Sequence, residues 1–102
     1  MNRLEALKDL VKQNPADTFA RYGLAMEYAR AGEYAAAAAE YQAIAEAHPD
    51  YAAAYYQGGQ ALERLGRADA AREFYRQGIA VTTRLGDMHA RDQLQEALDL
   101  LG

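Results

Sequence analysis

An all-α fold, a solenoid of antiparallel helix pairs, is what the sequence predicts, and three observations carry that expectation. Residues return thirty-four positions on: Pro15 as Pro49, Tyr22 as Tyr56, Arg30 as Arg64, Gly32 as Gly66 and Tyr41 as Tyr75. Apolar residues between the Pro and Gly breaks follow helical spacing. Valine, isoleucine and threonine are sparse while alanine is abundant, which favours helix over strand. A helix pair repeated at this interval cannot bury its apolar face alone and stacks on its neighbours into one shared core.

The elements follow in order. Leu4, Leu7 and Val11 mark a first helix that Asn14-Pro15 closes. Pro15 also opens the next segment, since its missing N–H would have no partner in a first helical turn. A second helix is expected from about Asp17 to Ala31, ended by Gly32, with Gly32-Glu33 as a tight turn. The third, about Tyr34 to Ala47, contains five consecutive alanines, Ala35 to Ala39, which raise helix propensity and leave a slim surface for close packing. Pro49 restarts the cycle with a fourth helix to about Leu65, a turn at Gly66-Arg67 and a fifth helix from about Ala68 to Leu85. Gly86-Asp87 supplies another stop and cap. The last helix carries Ala90, Leu94, Ala97, Leu98 and Leu101 on one stripe and Arg91, Asp92, Gln95, Glu96 and Asp99 mostly off it, the pattern of a capping helix.

Composition narrows the function. A chain of 102 residues, 51% of them hydrophobic, has room for one domain spanning residues 1–102. The net charge of −4 argues against a protein that tracks nucleic acid or anionic lipid, both of which need clustered Lys and Arg. The absence of cysteine removes disulfide scaffolds and thiolate chemistry. Acidic residues in the first turns leave no unbroken apolar leader and no later window suits a membrane, so the expected location is the cytoplasm. His48 and His89 are isolated, without a metal-ligating companion at helical spacing. Glu5, Asp9, Asp50, Asp69, Asp92, Glu96 and Asp99 fall on polar faces or turns, and Gln57-Gly58-Gly59-Gln60 lies inside a helix where no phosphate loop forms. No catalytic residue, metal site or cofactor is expected.

The repeat pattern resembles the tetratricopeptide repeat family. A first repeat, about Thr18 to Tyr51, places Leu24, Ala25, Tyr28, Gly32, Tyr34, Ala37, Tyr41 and Pro49 at that family's packing positions. A second, about Ala52 to Leu85, places Tyr55, Gly59, Leu62, Gly66, Ala71 and Tyr75 there. It departs at Gly58, where leucine is usual, at Gly78, where alanine is, and at Thr83, where proline would end the repeat; these departures are expected to loosen it. The resemblance implies two full repeats flanked by an N-terminal half-unit helix and a C-terminal cap.

The resemblance also implies function. In this family the first helix of each pair lines a concave groove that binds another protein or peptide. Here those positions are Phe19, Tyr22, Met26 and Arg30, then Ala53, Tyr56, Gln60 and Arg64, and the partner-binding candidates are Phe19, Tyr22, Met26, Arg30, Tyr56, Gln60 and Arg64. Tyrosine offers a rigid apolar face and arginine forks onto carboxylates, which suits a ligand with apolar and acidic groups. Two readings stand at each position: Tyr22 and Tyr56 face the groove or pack inward, and Arg30 and Arg64 meet a ligand or complement a helix dipole. Chaperone-tail binders of the family grip a terminal carboxylate with lysine and asparagine, and this chain has Tyr22, Met26, Tyr56 and Gln60 in those places. The related RNA-reading repeats need a longer, basic array. A homodimer in which the cap helix, with Leu100 extending its apolar stripe, or the tyrosine-bearing groove meets a copy of itself is the alternative function.

Two expectations concern stability. Gly58 has no evident packing reason, so Gly58→Ala is expected to stabilise the fourth helix by about 1 kcal/mol and to stiffen a groove that adapts to its ligand. A chain ending at Gly86 should aggregate, because the stripe that the last helix covers is exposed. Size-exclusion chromatography checks this, and a fully helical monomer would remove the capping role.

Overall fold

The computed structural model describes residues 2–102, and among these the chain forms six helices and no strand. They are α1 (Arg3–Gln13), α2 (Thr18–Arg30), α3 (Tyr34–Ala47), α4 (Ala52–Arg64), α5 (Ala68–Leu85) and α6 (Met88–Leu101). The expected boundaries hold to within a residue or two. Each helix packs on the next, and α6 reaches back past α5 to α4, in a body of 40 × 28 × 18 Å. No helix among the described residues is long and apolar enough to cross a membrane.

Two kinds of turn alternate along this stack. Between pairs, Asn14-Pro15 and His48-Pro49 carry the chain from α1 to α2 and from α3 to α4, with Asp17 N donating to Asn14 O at 3.0 Å and Tyr51 N to His48 O at 2.9 Å. Within pairs the chain reverses at Gly32 and Gly66, whose φ of 79° and 76° would strain any residue with a Cβ. There Glu33 N reaches Tyr28 O at 2.8 Å and Arg67 N reaches Leu62 O at 2.9 Å, satisfying carbonyls that a helix end leaves without partners. Asp17 and Asp87 cap α2 and α6 through side-chain bonds to the amides of Ala20 and Ala90.

Thr83, where proline would end the repeat, is an exposed helical residue. Its neighbour Thr82 is fully buried and bonds back to Gly78 O at 2.8 Å, so it adds no unpaired hydroxyl to the core. With no proline to stop it, α5 runs eighteen residues to Leu85, against fourteen for α3, and closes on Gly86.

The core runs unbroken from Ala25 to Ala97 and is built on Tyr41, Tyr75, Ile44, Leu62 and Leu94. Its second repeat corrects the expectation of looseness. A Cβ on Gly58 would stand 2.3 Å from Phe74 Cε2 and 3.0 Å from Tyr41 Cβ. On Gly59 it would stand 2.1 Å from Tyr75 Cε1, and on Gly78 2.6 Å from Tyr55 Cβ and 2.9 Å from Leu94 Cδ1. The glycines are seats for rings, and Gly58 has a packing reason after all.

The first repeat shows what was exchanged. Arg21, Leu24, Glu40 and Ile44 stand thirty-four positions before Tyr55, Gly58, Phe74 and Gly78. Arg21 Nη1 bonds Glu40 Oε1 at 2.8 Å, and Leu24 and Ile44 are buried large residues. In the second repeat the ion pair is replaced by buried rings of Tyr55 and Phe74, centroids 5.1 Å apart, and the two large aliphatics by glycine. Bulk has moved from one pair of positions to the other, which keeps the interface filled.

Gly58→Ala and Gly78→Ala are therefore each expected to destabilise the protein, by about 1–3 kcal/mol from overpacking, the reverse of what helix propensity alone implies. Urea unfolding followed by circular dichroism measures this, and a stabilised Gly58→Ala protein would show that Phe74 yields without cost.

Candidate functional site: the hollow face of α2, α4 and α6

Side chains four apart on a helix share a face. That spacing brings Met26 and Arg30 of α2 to one side and Tyr56, Gln60 and Arg64 of α4 opposite them, around a trough of about 380 Å³. Ala29, Tyr34, Tyr41, Gln57 and Ala61 complete its lining. Five of the seven residues expected to contact a partner thus share one depression.

The other two lie apart from it. Tyr22 is half-buried, its ring edge-on to Tyr41 at 5.8 Å and tilted against Tyr51 at 5.4 Å, so packing accounts for it. Phe19, one turn earlier on α2, is 85% exposed and does not line the trough with the others.

The two arginines differ in their surroundings. Arg30 Nη1 bonds Glu27 Oε1 at 2.9 Å, an oxygen that also accepts from Arg3 Nε at 2.9 Å. Arg64 has no carboxylate within salt-bridge distance among the described residues, and its guanidinium carbon lies 5.8 Å from the centre of the Tyr34 ring. A cation over a ring face is held in place while its donors stay free.

The wall of the trough is pinned from behind. The Tyr75 hydroxyl, reaching from α5, accepts from Gln60 Nε2 at 2.8 Å and donates to the Glu63 carboxylate. Both groups keep a fixed orientation without any ligand.

Sequence reasoning assigned Tyr34 to packing, and it also missed a second trough of about 370 Å³ on the far side of α4. Tyr56 and Gln60 line that one as well, together with Glu63 and with Gln93, Glu96, Ala97 and Leu100 of α6. The thirty-four-residue rule could not find it. It leads from Tyr56 and Gln60 to Ala90 and Leu94, and Leu94 is buried against Gly78. On α6 the second trough is lined instead by Gln93, Glu96, Ala97 and Leu100, while Ala90 and Leu94 meet Tyr56 across an adjacent hollow.

Solved structures of similar proteins carry this arrangement of helices. The solution structure of a tetratricopeptide repeat domain protein from Salinibacter ruber is 36% identical and superposes with a TM-score of 0.79, covering 86% of this chain and 89% of that one. A crystal structure of a tetratricopeptide repeat domain protein from the same organism, also 36% identical, gives 0.76 over 83% and 94%. A Bordetella parapertussis protein is 26% identical, with a TM-score of 0.83 over 99% of this chain and 88% of that one. No family model matches the chain, and no curated protein does.

Tyrosine ionisation reports on the packing behind the hollow face. Burial, with Tyr22 beside it, pushes the Tyr41 phenol up to about 12. Burial also raises Tyr22, Tyr55 and Tyr75, and for Tyr75 the bond to Glu63 adds to the effect. An unfolded chain loses these protons near pH 10 while the folded one keeps them, so folding binds more protons above that point. Stability from these groups is therefore fully present below about pH 10 and falls as pH rises toward about 12. Phenolate absorbance should show an exposed class titrating first and Tyr41 and Tyr75 ionising only with loss of helix; a single early transition for all tyrosines would contradict the buried geometry.

Proposed function

The chain belongs to the tetratricopeptide repeat family, a family of protein-interaction modules, and from that premise we propose that its hollow face holds a segment of a partner protein. The segment places a carboxylate against Arg64 and an apolar side chain against Met26, Ala29 and Tyr56. The observation that supports this is the Arg64 guanidinium, held over the Tyr34 ring, without a carboxylate partner among the described residues, and opening on a trough of mixed apolar and polar lining. A guanidinium fork binds a carboxylate through two charge-assisted hydrogen bonds. Arg30 contributes field more than contact, since Glu27 already occupies it. A face this short buries less area than a standard interface, so affinity is modest unless several copies act together.

Self-association is the second reading, and Leu100 favours it: the side chain stands 81% exposed on the cap helix, at the edge of the second trough. A photoreactive analogue at Tyr56 in lysate of the native host separates the two. The groove reading expects capture of one foreign protein, reduced at least tenfold by Arg64→Glu. Capture of the chain by itself would assign the face to a symmetric pair, and capture indifferent to Arg64→Glu would remove the carboxylate contact.

A further inference from the structure

Consecutive residues of α4 divide the hollow face electrically. Glu63 and Arg64 occupy its last turn, and one residue along a helix turns the side chain by about 100°. Arg64 consequently lines the trough toward α2 and Glu63 the trough toward α6. Arg30 adds a second cation to the first trough, and Glu96 adds a second carboxylate to the other. Glu96 is exposed, and among the described residues no Lys, Arg or His lies within salt-bridge distance of it. No cationic residue lines the second trough. Between the two runs the crest made by Tyr56 and Gln60, which line both.

We propose that the occupant is an extended segment of a partner protein bearing a carboxylate and a cationic side chain three positions apart, the carboxylate at Arg64 and the cation at Glu96 and Glu63. This rests on the groove reading above and adds the charge order and spacing of the ligand. Neighbouring helices on one face lie about 10 Å apart, and an extended chain advances about 3.3 Å per residue. Three residues carry it from one trough to the next. In the polyproline II form of an extended chain, with about three residues per turn and a rise of about 3.1 Å per residue, positions i and i+3 face the same side, so both side chains turn toward the hollow face. A helical occupant would need its two charges about seven positions apart to span the same distance, since a helix rises only about 1.5 Å per residue. A second copy of this chain fits poorly, since a hollow face set against its own image leaves a void.

Selection from a phage-displayed library of random heptapeptides tests the proposal, run on the whole chain and on the Arg64→Glu/Glu96→Arg protein. The double variant keeps the net charge and alters two side chains outside the core, and circular dichroism confirms that it folds. The expected result is enrichment of peptides with an acid and a base three positions apart in one fixed order, at least tenfold above library frequency. The double variant should enrich the opposite order. Peptides enriched without a fixed charge spacing, or the same order enriched by both proteins, overturn this inference and leave the groove reading standing. No enrichment, or peptides that bind a Tyr56→Arg protein equally well, overturns both. Sedimentation of the chain alone that shows a dimer dispersed by the double variant makes a second copy the occupant and overturns the proposal as well.

Discussion

Where α4 lies against α5, three aromatic side chains occupy the space in which three Cβ atoms would stand, and the shape of the protein depends on that contact. Tyr75 sits on Gly59, Phe74 on Gly58 and Tyr55 on Gly78, so each helix offers the other both rings and bare backbone. Contact between a ring and a peptide backbone lets the axes approach more closely than Leu-on-Leu packing does. The rings then bury nearly all their surface, and Tyr75 is left with none exposed. Glycine weakens an isolated helix by about 1 kcal/mol; here the ring burial that glycine permits, worth about 1.5–3 kcal/mol for a large side chain, exceeds that cost. The α5–α6 contact uses the same device once more, with Leu94 closing over Gly78.

This interface and the hollow face are two sides of one helix. Because the Tyr75 ring is seated on Gly59, its hydroxyl emerges beside α4 at the level of Gln60 and Glu63 and orients both. Tyr41 does the corresponding work in the first trough, lining it from beneath and taking the edge of Tyr22. A recognition surface built in this way is rigid before a partner arrives, which reduces the ordering cost of binding. The charge division at Glu63 and Arg64 inherits that rigidity, one carboxylate being held by Tyr75 and the guanidinium resting on Tyr34.

Much of this was legible in the residues alone. The pairing of Pro15 with Pro49 and Gly32 with Gly66 located the turns, and the spacing of Met26 and Arg30 on one helix and Tyr56, Gln60 and Arg64 on another brought those five to one trough, because both depend on local spacing, whereas Tyr22 packs inward. What failed depended on partners distant in sequence. Gly58 read as a weakness since its value lies in Phe74, sixteen positions on, and in Tyr41 on a different helix. Arg30 and Arg64 read as equivalents, although Glu27 and Arg3 surround one and Tyr34 the other. The α6 side of the face escaped notice because repeat spacing leads from Tyr56 and Gln60 to Ala90 and Leu94, while the second trough is lined by Gln93, Glu96, Ala97 and Leu100 of the cap helix, which lies outside the two repeats.

The seating of rings on glycine is tested most directly by a double-mutant cycle between Gly58 and Phe74, read as unfolding free energy in urea. Gly58→Ala is destabilising with Phe74 in place, because the new methyl group meets the ring. In a Phe74→Ala background the same substitution should become stabilising, since the methyl then enters vacated space and helix propensity favours it by about 1 kcal/mol. That change of sign is the predicted result. An effect of the same sign and size in both backgrounds would mean that Gly58 and Phe74 act independently, and the account of the α4–α5 interface would fail.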